Sequence, residues 1–108
     1  MAYTPQKFSA DLAAATLTDL ITGGAGLPTG TAGTYLLAFT NRTGVATTVR
    51  WAVTTGGAAG VGEYLVYDAP LTANGVIRDW PIPLFDGWKV WVYSAAASVS
   101  ATLIGLEN

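Results

Sequence analysis

The chain contains no cysteine and no histidine. Without cysteine it has no disulfide framework and no thiolate metal site. Without histidine it lacks a Ser-His-Asp or Cys-His arrangement and any imidazole ligand. The seven carboxylates include no Asp-x-Asp cluster of the kind that binds calcium. These absences predict a protein that is not an enzyme and that holds no cofactor and no metal.

Charged residues are also scarce, because they make up 11% of the chain, about half the usual share. The five basic residues are scattered, so we expect no nucleic-acid binding. A hydrophobic fraction of 51% argues against disorder. A small domain with so few charges either coats its surface with Thr, Ser, Gly and Ala or buries part of it in an assembly. We favour the second interpretation, a homo-oligomer or a larger assembly.

Long apolar runs are absent too, since no stretch reaches the roughly 18 apolar residues of a membrane-spanning helix. The first residues have neither the basic region nor the apolar region of a secretory signal, so we expect synthesis in a cytoplasm and no membrane partner. With 108 residues, the chain is expected to form one domain over 1–108. Residues 1–15 are a candidate N-terminal arm.

Short β-rich segments separated by glycine-rich turns predict the fold class. Residues 9–15 remain open, because an alanine-rich helix capped by Ser9 is an alternative there. The spacing of the other segments is typical of an antiparallel sandwich or a small barrel. The predicted strands lie near residues 16–22, 34–40, 47–55, 63–69, 76–81, 88–94 and 98–104.

Two dipeptides, Asn74-Gly75 and Asp86-Gly87, separate the three segments of residues 63–93. Both tolerate the positive φ of tight hairpin turns, so we predict a meander of consecutive antiparallel strands. Pro81 and Pro83 place the end of the middle strand at a sheet edge or in a loop. Residues 23–33 are glycine-rich but lack the lysine of a phosphate-binding loop, so a flexible surface loop is predicted there.

The aromatic residues are the strongest candidates for a binding surface. Trp51 shares a strand face with Val49 and Val53 and is predicted to lie in the core. Strand alternation places Trp88 and Trp91 on opposite faces, and it also separates Tyr64 from Tyr67. Exposed rings on a sheet are frequent anchors for partners or sugars. The candidate contact set is Tyr64, Tyr67, Trp80, Trp88, Trp91 and Tyr93.

A pair of carboxylates is the remaining catalytic possibility, since a small β-sandwich hydrolase would need two of them in one cleft. Across an Asn74-Gly75 hairpin, Asp68 and Asp79 would face each other. Because Arg78 adjoins Asp79, we expect an ion pair rather than a catalytic dyad. We therefore predict no active site.

The stretch that begins at Tyr64 reads Tyr-Leu-Val-Tyr-Asp-Ala-Pro-Leu, then Ala-Asn-Gly, then Asp-Gly-Trp-Lys-Val-Trp-Val-Tyr-Ser and Val-Ser-Ala-Thr-Leu-Ile-Gly-Leu-Glu. In this order the stretch from Tyr64 to Gly105 resembles small accessory virion proteins of tailed bacteriophages and phage-like particles. With the segment at 36–51, the likeness covers residues 16–107. It implies a head decoration, a head-spike base, or a connector or fibre module.

The residues and the resemblance together predict an all-β protein, a single antiparallel β-sandwich that is jelly-roll-like, with about seven to eight strands. The resemblance implies a structural protein that decorates or links virion components. Its partners would be capsid, neck or fibre subunits, and its own copies as a homo-oligomer, with a trimer as the leading state. It would reside in the virion after synthesis in the bacterial host cytoplasm. The alternative is a carbohydrate-binding or receptor-binding module, with a glycan as partner.

Overall fold

A computed structural model of the chain describes residues 6–21 and 24–106, so residues 1–5 of the candidate arm and residues 22, 23, 107 and 108 lie outside the description. Within that part no helix is long and apolar enough to cross a membrane. A short 3₁₀ turn, Val61–Glu63, precedes the fifth strand. The eight strands are β1 (Lys7–Leu12), β2 (Thr18–Asp19), β3 (Gly33–Asn41), β4 (Thr47–Thr54), β5 (Tyr64–Leu71), β6 (Val76–Leu84), β7 (Lys89–Ser94) and β8 (Val99–Leu106).

The strands form two four-stranded antiparallel sheets, with the orders β1-β8-β3-β6 and β2-β7-β4-β5. Each strand pairs with its counterpart from the other end of the chain: β1 with β8, β2 with β7, β3 with β6, and β4 with β5. A long antiparallel hairpin rolled up on itself gives this order, which is that of a jelly roll. The predicted jelly-roll-like β-sandwich is confirmed.

The predicted meander over residues 63–93 is wrong, because β5, β6 and β7 alternate between the two sheets. The turns at Asn74-Gly75 and Asp86-Gly87 do reverse the chain with positive φ, 55° at Asn74 and 82° at Gly87. Each turn, however, carries the chain across the sandwich. The dipeptides predict a reversal but not the hydrogen-bonded partner of the strand that follows. As predicted from its prolines, β6 is an edge strand.

The N-terminal segment is a strand and not a helix. Phe8 and Ala10 pack against the core and Leu12 is buried, whereas the residues between them are exposed. Only a strand places every second residue on one side. The next predicted strand, 16–22, shortens to the two residues of β2. The other six predicted strands coincide with β3–β8 to within a few residues.

The core lies between the sheets, and Trp51 contacts residues of both of them. Trp51 is 3% exposed and its ring centroid is 5.1 Å from that of Phe39 on the opposite sheet. Its Nε1 donates a hydrogen bond of 2.8 Å to Asp79 Oδ2 on β6. Val49 is buried and Val53 packs against the same cluster, so the predicted inward face of β4 is confirmed.

The glycine-rich segment is packed rather than a flexible surface loop. Leu27 is buried, and its N–H donates to the carbonyl of Trp88 at 2.7 Å. The N–H of Gly87 returns a hydrogen bond of 2.8 Å to the carbonyl of Leu27. Gly26, with φ +78°, lies against the same backbone. The left-handed conformation of residue 26 and the close approach of the backbone of Gly87 and Trp88 together explain why this residue is a glycine.

We expect Gly26→Ala to destabilise the fold by more than about 2 kcal/mol, because the new Cβ would meet backbone atoms that cannot move cheaply. It would lie 2.8 Å from the carbonyl oxygen of Trp88 and closer still to that of Gly87. Gly24→Ala is the matched control, since Gly24 has φ +77° but no atom within 4 Å. Its cost should be about 1 kcal/mol. Urea unfolding of both variants measures the difference, and equal losses would contradict the packing argument.

We expect Asp79→Leu to lower the free energy of unfolding by about 1–3 kcal/mol, because the indole N–H of Trp51 would lose its acceptor inside the sandwich. Asp79→Asn retains a carbonyl oxygen and should lose much less. Thermal and urea unfolding, followed by tryptophan fluorescence, tests the pair. A leucine variant as stable as the asparagine variant would show that the hydrogen bond contributes little.

Candidate functional site

One outer surface collects most of the candidate aromatic residues. Trp91 and Tyr93 alternate on β7 with residues that are fully buried, so they point away from the core. Arg50 lies opposite Tyr93 on β4, and β5 contributes Tyr64 and Tyr67. We call these five residues the aromatic face. It lies on the outer side of the sheet β2-β7-β4-β5, on strands β7, β4 and β5.

Arg50 is the centre of the aromatic face. Its guanidinium carbon lies 3.9 Å from the ring centroid of Tyr67 and 4.4 Å from that of Tyr93. Its Nε donates to Asp68 Oδ1 at 2.6 Å and its Nη2 donates to Oδ2 at 3.3 Å. Two cation–π contacts and a two-point ion pair therefore hold one side chain.

Arg50 is protonated at neutral pH, and its ion pair with Asp68 favours the charged form. The hydrogen bond to Asp68 is the largest influence and raises the pKa of Arg50 above its ordinary value, although desolvation acts in the opposite direction. A raised pKa means that any contribution of the protonated group to stability is lost only as the pH rises past that pKa. This group therefore introduces no pH dependence near neutrality.

Tyr64 and Tyr67 meet on this face because the pairing of β5 with β4 is irregular. Register shifts occur on both sides of Trp51, and Asp68 adopts a positive φ of 56°. Extra residues on β5 reverse the alternation, as β-bulges do. The two rings pack edge to face with centroids 5.2 Å apart. The prediction that Tyr64 and Tyr67 point to opposite faces is therefore wrong.

Trp91 forms the other end of the aromatic face. Its Nε1 donates to the carbonyl of Gly57 at 3.1 Å, so the loop after β4 holds the indole in place. Lys89 Nζ lies 5.7 Å from the indole centroid and 3.8 Å from Asp19 Oδ2. Trp91 is half-buried as a result and presents only part of its ring to solvent.

The structure does not bring Trp80 and Trp88 to the aromatic face. Trp88 precedes β7 and packs against the core, with Phe85 at 4.9 Å between centroids. Trp80 is 49% exposed on β6, an edge strand of the other sheet. The six candidates therefore divide among three places. Arg50 was not among them, although its outward position on β4 follows from alternation.

The carboxylates do not form the arrangement considered for a hydrolase. Asp68 is on β5 and Asp79 is on β6, in different sheets, so they do not face each other across a hairpin. Asp68 pairs with Arg50 rather than Arg78, and Asp79 accepts from Trp51. Within residues 6–21 and 24–106 there is no group of three potential metal ligands among His, Cys, Asp and Glu.

Comparisons of the chain with protein-family models, with curated proteins and with solved structures find no match. The geometry of the aromatic face therefore carries the functional argument.

We expect the Nε–H of Arg50 to exchange slowly with water and to give a sharp NMR signal, because Asp68 accepts from it and two rings flank the guanidinium. Asp68→Asn should broaden that signal by weakening the hydrogen bond. Tyr67→Leu should reduce the ring-current shift of the side chain of Arg50 to the part that comes from Tyr93. A signal that neither substitution changes would contradict the stacked arrangement.

Proposed function

We propose that the chain is a non-enzymatic structural protein of a phage or phage-like particle, and that it decorates or links virion components through protein–protein contacts. The likeness of residues 64–105 to accessory virion proteins supports this role. The jelly-roll order is consistent with it, because that architecture recurs in viral capsid proteins. Because one fold serves many functions, the function depends on the residues that the outer surface presents.

The aromatic face is the observation that carries the proposal. Tyrosine, tryptophan and arginine are the residues most enriched at the centres of protein interfaces. Here Tyr67 is 59% exposed, yet Arg50 and Tyr64 hold its ring in position. A partner would therefore meet a surface that is already ordered, which reduces the entropy lost on binding. Asp68 balances the charge of Arg50, so a partner that covers the pair does not bury an unpaired charge.

Glycan binding is the second candidate, because exposed aromatic rings such as that of Tyr67 also bind sugars. Sugars stack on the open faces of aromatic rings. In this structure Tyr67 and Tyr93 both pack against the guanidinium of Arg50, which covers part of each ring. Trp91 is half-buried and its N–H is bound by Gly57. The high exposure of Tyr67, 59%, is what favours a glycan site.

On the particle, we propose that the subunit belongs to a homo-oligomer arranged around a threefold axis. The resemblance to spike and decoration proteins supports this symmetry. The low charge of the chain, 11% of residues, is consistent with a surface that is partly covered in the assembly.

The test uses particles produced by the genome that encodes the chain. We expect mass spectrometry to find the chain in the purified particles, and cryo-electron microscopy to show the aromatic face against a neighbouring subunit. Tyr67→Ala should reduce its occupancy at least about tenfold, the loss expected for an interface hot spot. Trp80→Ala is the aromatic control on the other sheet and should leave occupancy unchanged.

Absence of the chain from the particles would overturn the proposal. A monomer that binds an immobilised glycan array, and loses that binding with Tyr67→Ala, would support the glycan alternative instead.

A further inference from the structure

Four strands lie at the edges of the two sheets, and three of them are protected against pairing. β2 has two residues, β5 has register shifts and Pro70, and β6 contains Pro81 and Pro83. Short, bulged or proline-containing edges are how proteins prevent contact between sheets. β1 differs, because its six residues pair regularly with β8 and include no proline.

The hydrogen bonds of β1 show which of its backbone groups face the open edge. Gly105 N–H donates to the carbonyl of Gln6 at 2.7 Å, so these two opposite residues form a hydrogen-bonded pair. In an antiparallel ladder such pairs alternate along the strand. The even-numbered residues of β1 therefore bond to β8. Lys7, Ser9 and Asp11 direct their N–H and C=O groups away from it, toward the open edge.

We propose that β1 pairs antiparallel with β1 of a second copy of this chain, across a twofold axis at Ser9. Only in this register is each of the three edge-facing residues opposite an edge-facing residue of the partner subunit. It places Ser9 opposite Ser9 of the partner subunit, and Lys7 opposite Asp11 of the partner subunit. The twofold axis repeats the Lys7–Asp11 contact at the other end. The contact is isologous and closes as a dimer of the free chain, and it is separate from the threefold arrangement proposed for the particle.

The side chains of β1 complement their own copies in this register. The side chains of Lys7, Ser9 and Asp11 are all exposed on the outer side of the sheet, where opposite charges facing each other across strands are stabilising. The side chain of Asp11 is 71% exposed and already lies beside Arg42 of its own chain, so it can accept from Lys7 of the partner subunit as well.

The inward side of the strand is complementary too. Phe8 would lie opposite Ala10 of the partner subunit, a large residue against a small one. Both residues are half-buried at the side of the core, so pairing would cover the surface that they still expose. Residues 13–17, which follow β1, are exposed and include three alanines and Leu17.

Charge reversal tests the register in the full chain. Lys7→Glu alone, or Asp11→Lys alone, would place like charges opposite each other at both ends of the contact. In the double variant Lys7→Glu with Asp11→Lys, each new glutamate would face a new lysine of the partner subunit, so the charges across the contact would again be opposite. By sedimentation over a concentration series at low salt, we expect a wild-type dimer. Each single variant should raise the dissociation constant at least about tenfold. The double variant should bind at least about threefold more tightly than either single variant, although Asp11→Lys also removes the exposed ion pair with Arg42 of the same chain.

A cysteine at the axis gives a second test, which does not depend on charge. The Cα atoms of a hydrogen-bonded antiparallel pair are about 5.5 Å apart, a separation that a disulfide bridges. The chain has no cysteine of its own, so Ser9→Cys adds one thiol per subunit. We expect rapid formation of a covalent dimer under mild oxidation. Thr102→Cys is the matched control, because Thr102 lies beside Ser9 on β8, one strand further from the edge.

A wild-type chain that is monomeric at every concentration would overturn the proposal. So would a double variant as weak as the single variants, or equal cross-linking of Ser9→Cys and Thr102→Cys. The contact does not involve the aromatic face, so Tyr67→Ala should dimerise as the wild type does. Failure of the dimer and failure of particle docking are therefore separate outcomes.

Discussion

The fold depends on holding two sheets together at a fixed spacing, and Trp51 makes that link in two ways. Its ring fills the space beside Phe39, and its N–H binds the carboxylate of Asp79 on the facing sheet. An apolar contact alone would tolerate sliding of one sheet over the other. The directional hydrogen bond removes that freedom, because an indole N–H left without an acceptor in the core is costly. The strand register around Trp51 then determines what the outer surface presents.

The aromatic face follows from this inner constraint. Trp51 points inward, so its neighbour Arg50 must point outward. The irregular pairing with β5 then places Tyr67 and Asp68 where both reach the same guanidinium. The surface is rigid because its parts are bonded to each other and because the strand below cannot shift. Strand β4 therefore supplies both Trp51 to the core and Arg50 to the aromatic face.

Much of the fold can be predicted from the sequence, because alternation reports burial directly. It located six strands and placed Trp51 in the core, where it lies at 3% exposure. Alternation cannot report which strands pair. The turn at Asn74-Gly75 looks the same locally whether it closes a hairpin or crosses the sandwich, and long-range packing makes the choice. The two register shifts of β5 around Trp51 are likewise invisible in the pattern, so the meeting of Tyr64 and Tyr67 and the role of Arg50 could not be derived.

The strand order has a consequence for how the chain is made. β8, the last strand described, lies between β1 and β3 in its sheet, so that sheet has a gap until residues 99–106 have left the ribosome. The partners β1 and β8 are separated by almost the whole sequence, which makes for slow, late closure. Until then the nascent chain exposes the apolar faces of both sheets. The sheet β1-β8-β3-β6 can therefore close only after β8 has been synthesised, whereas all four strands of the other sheet precede β8 in the chain.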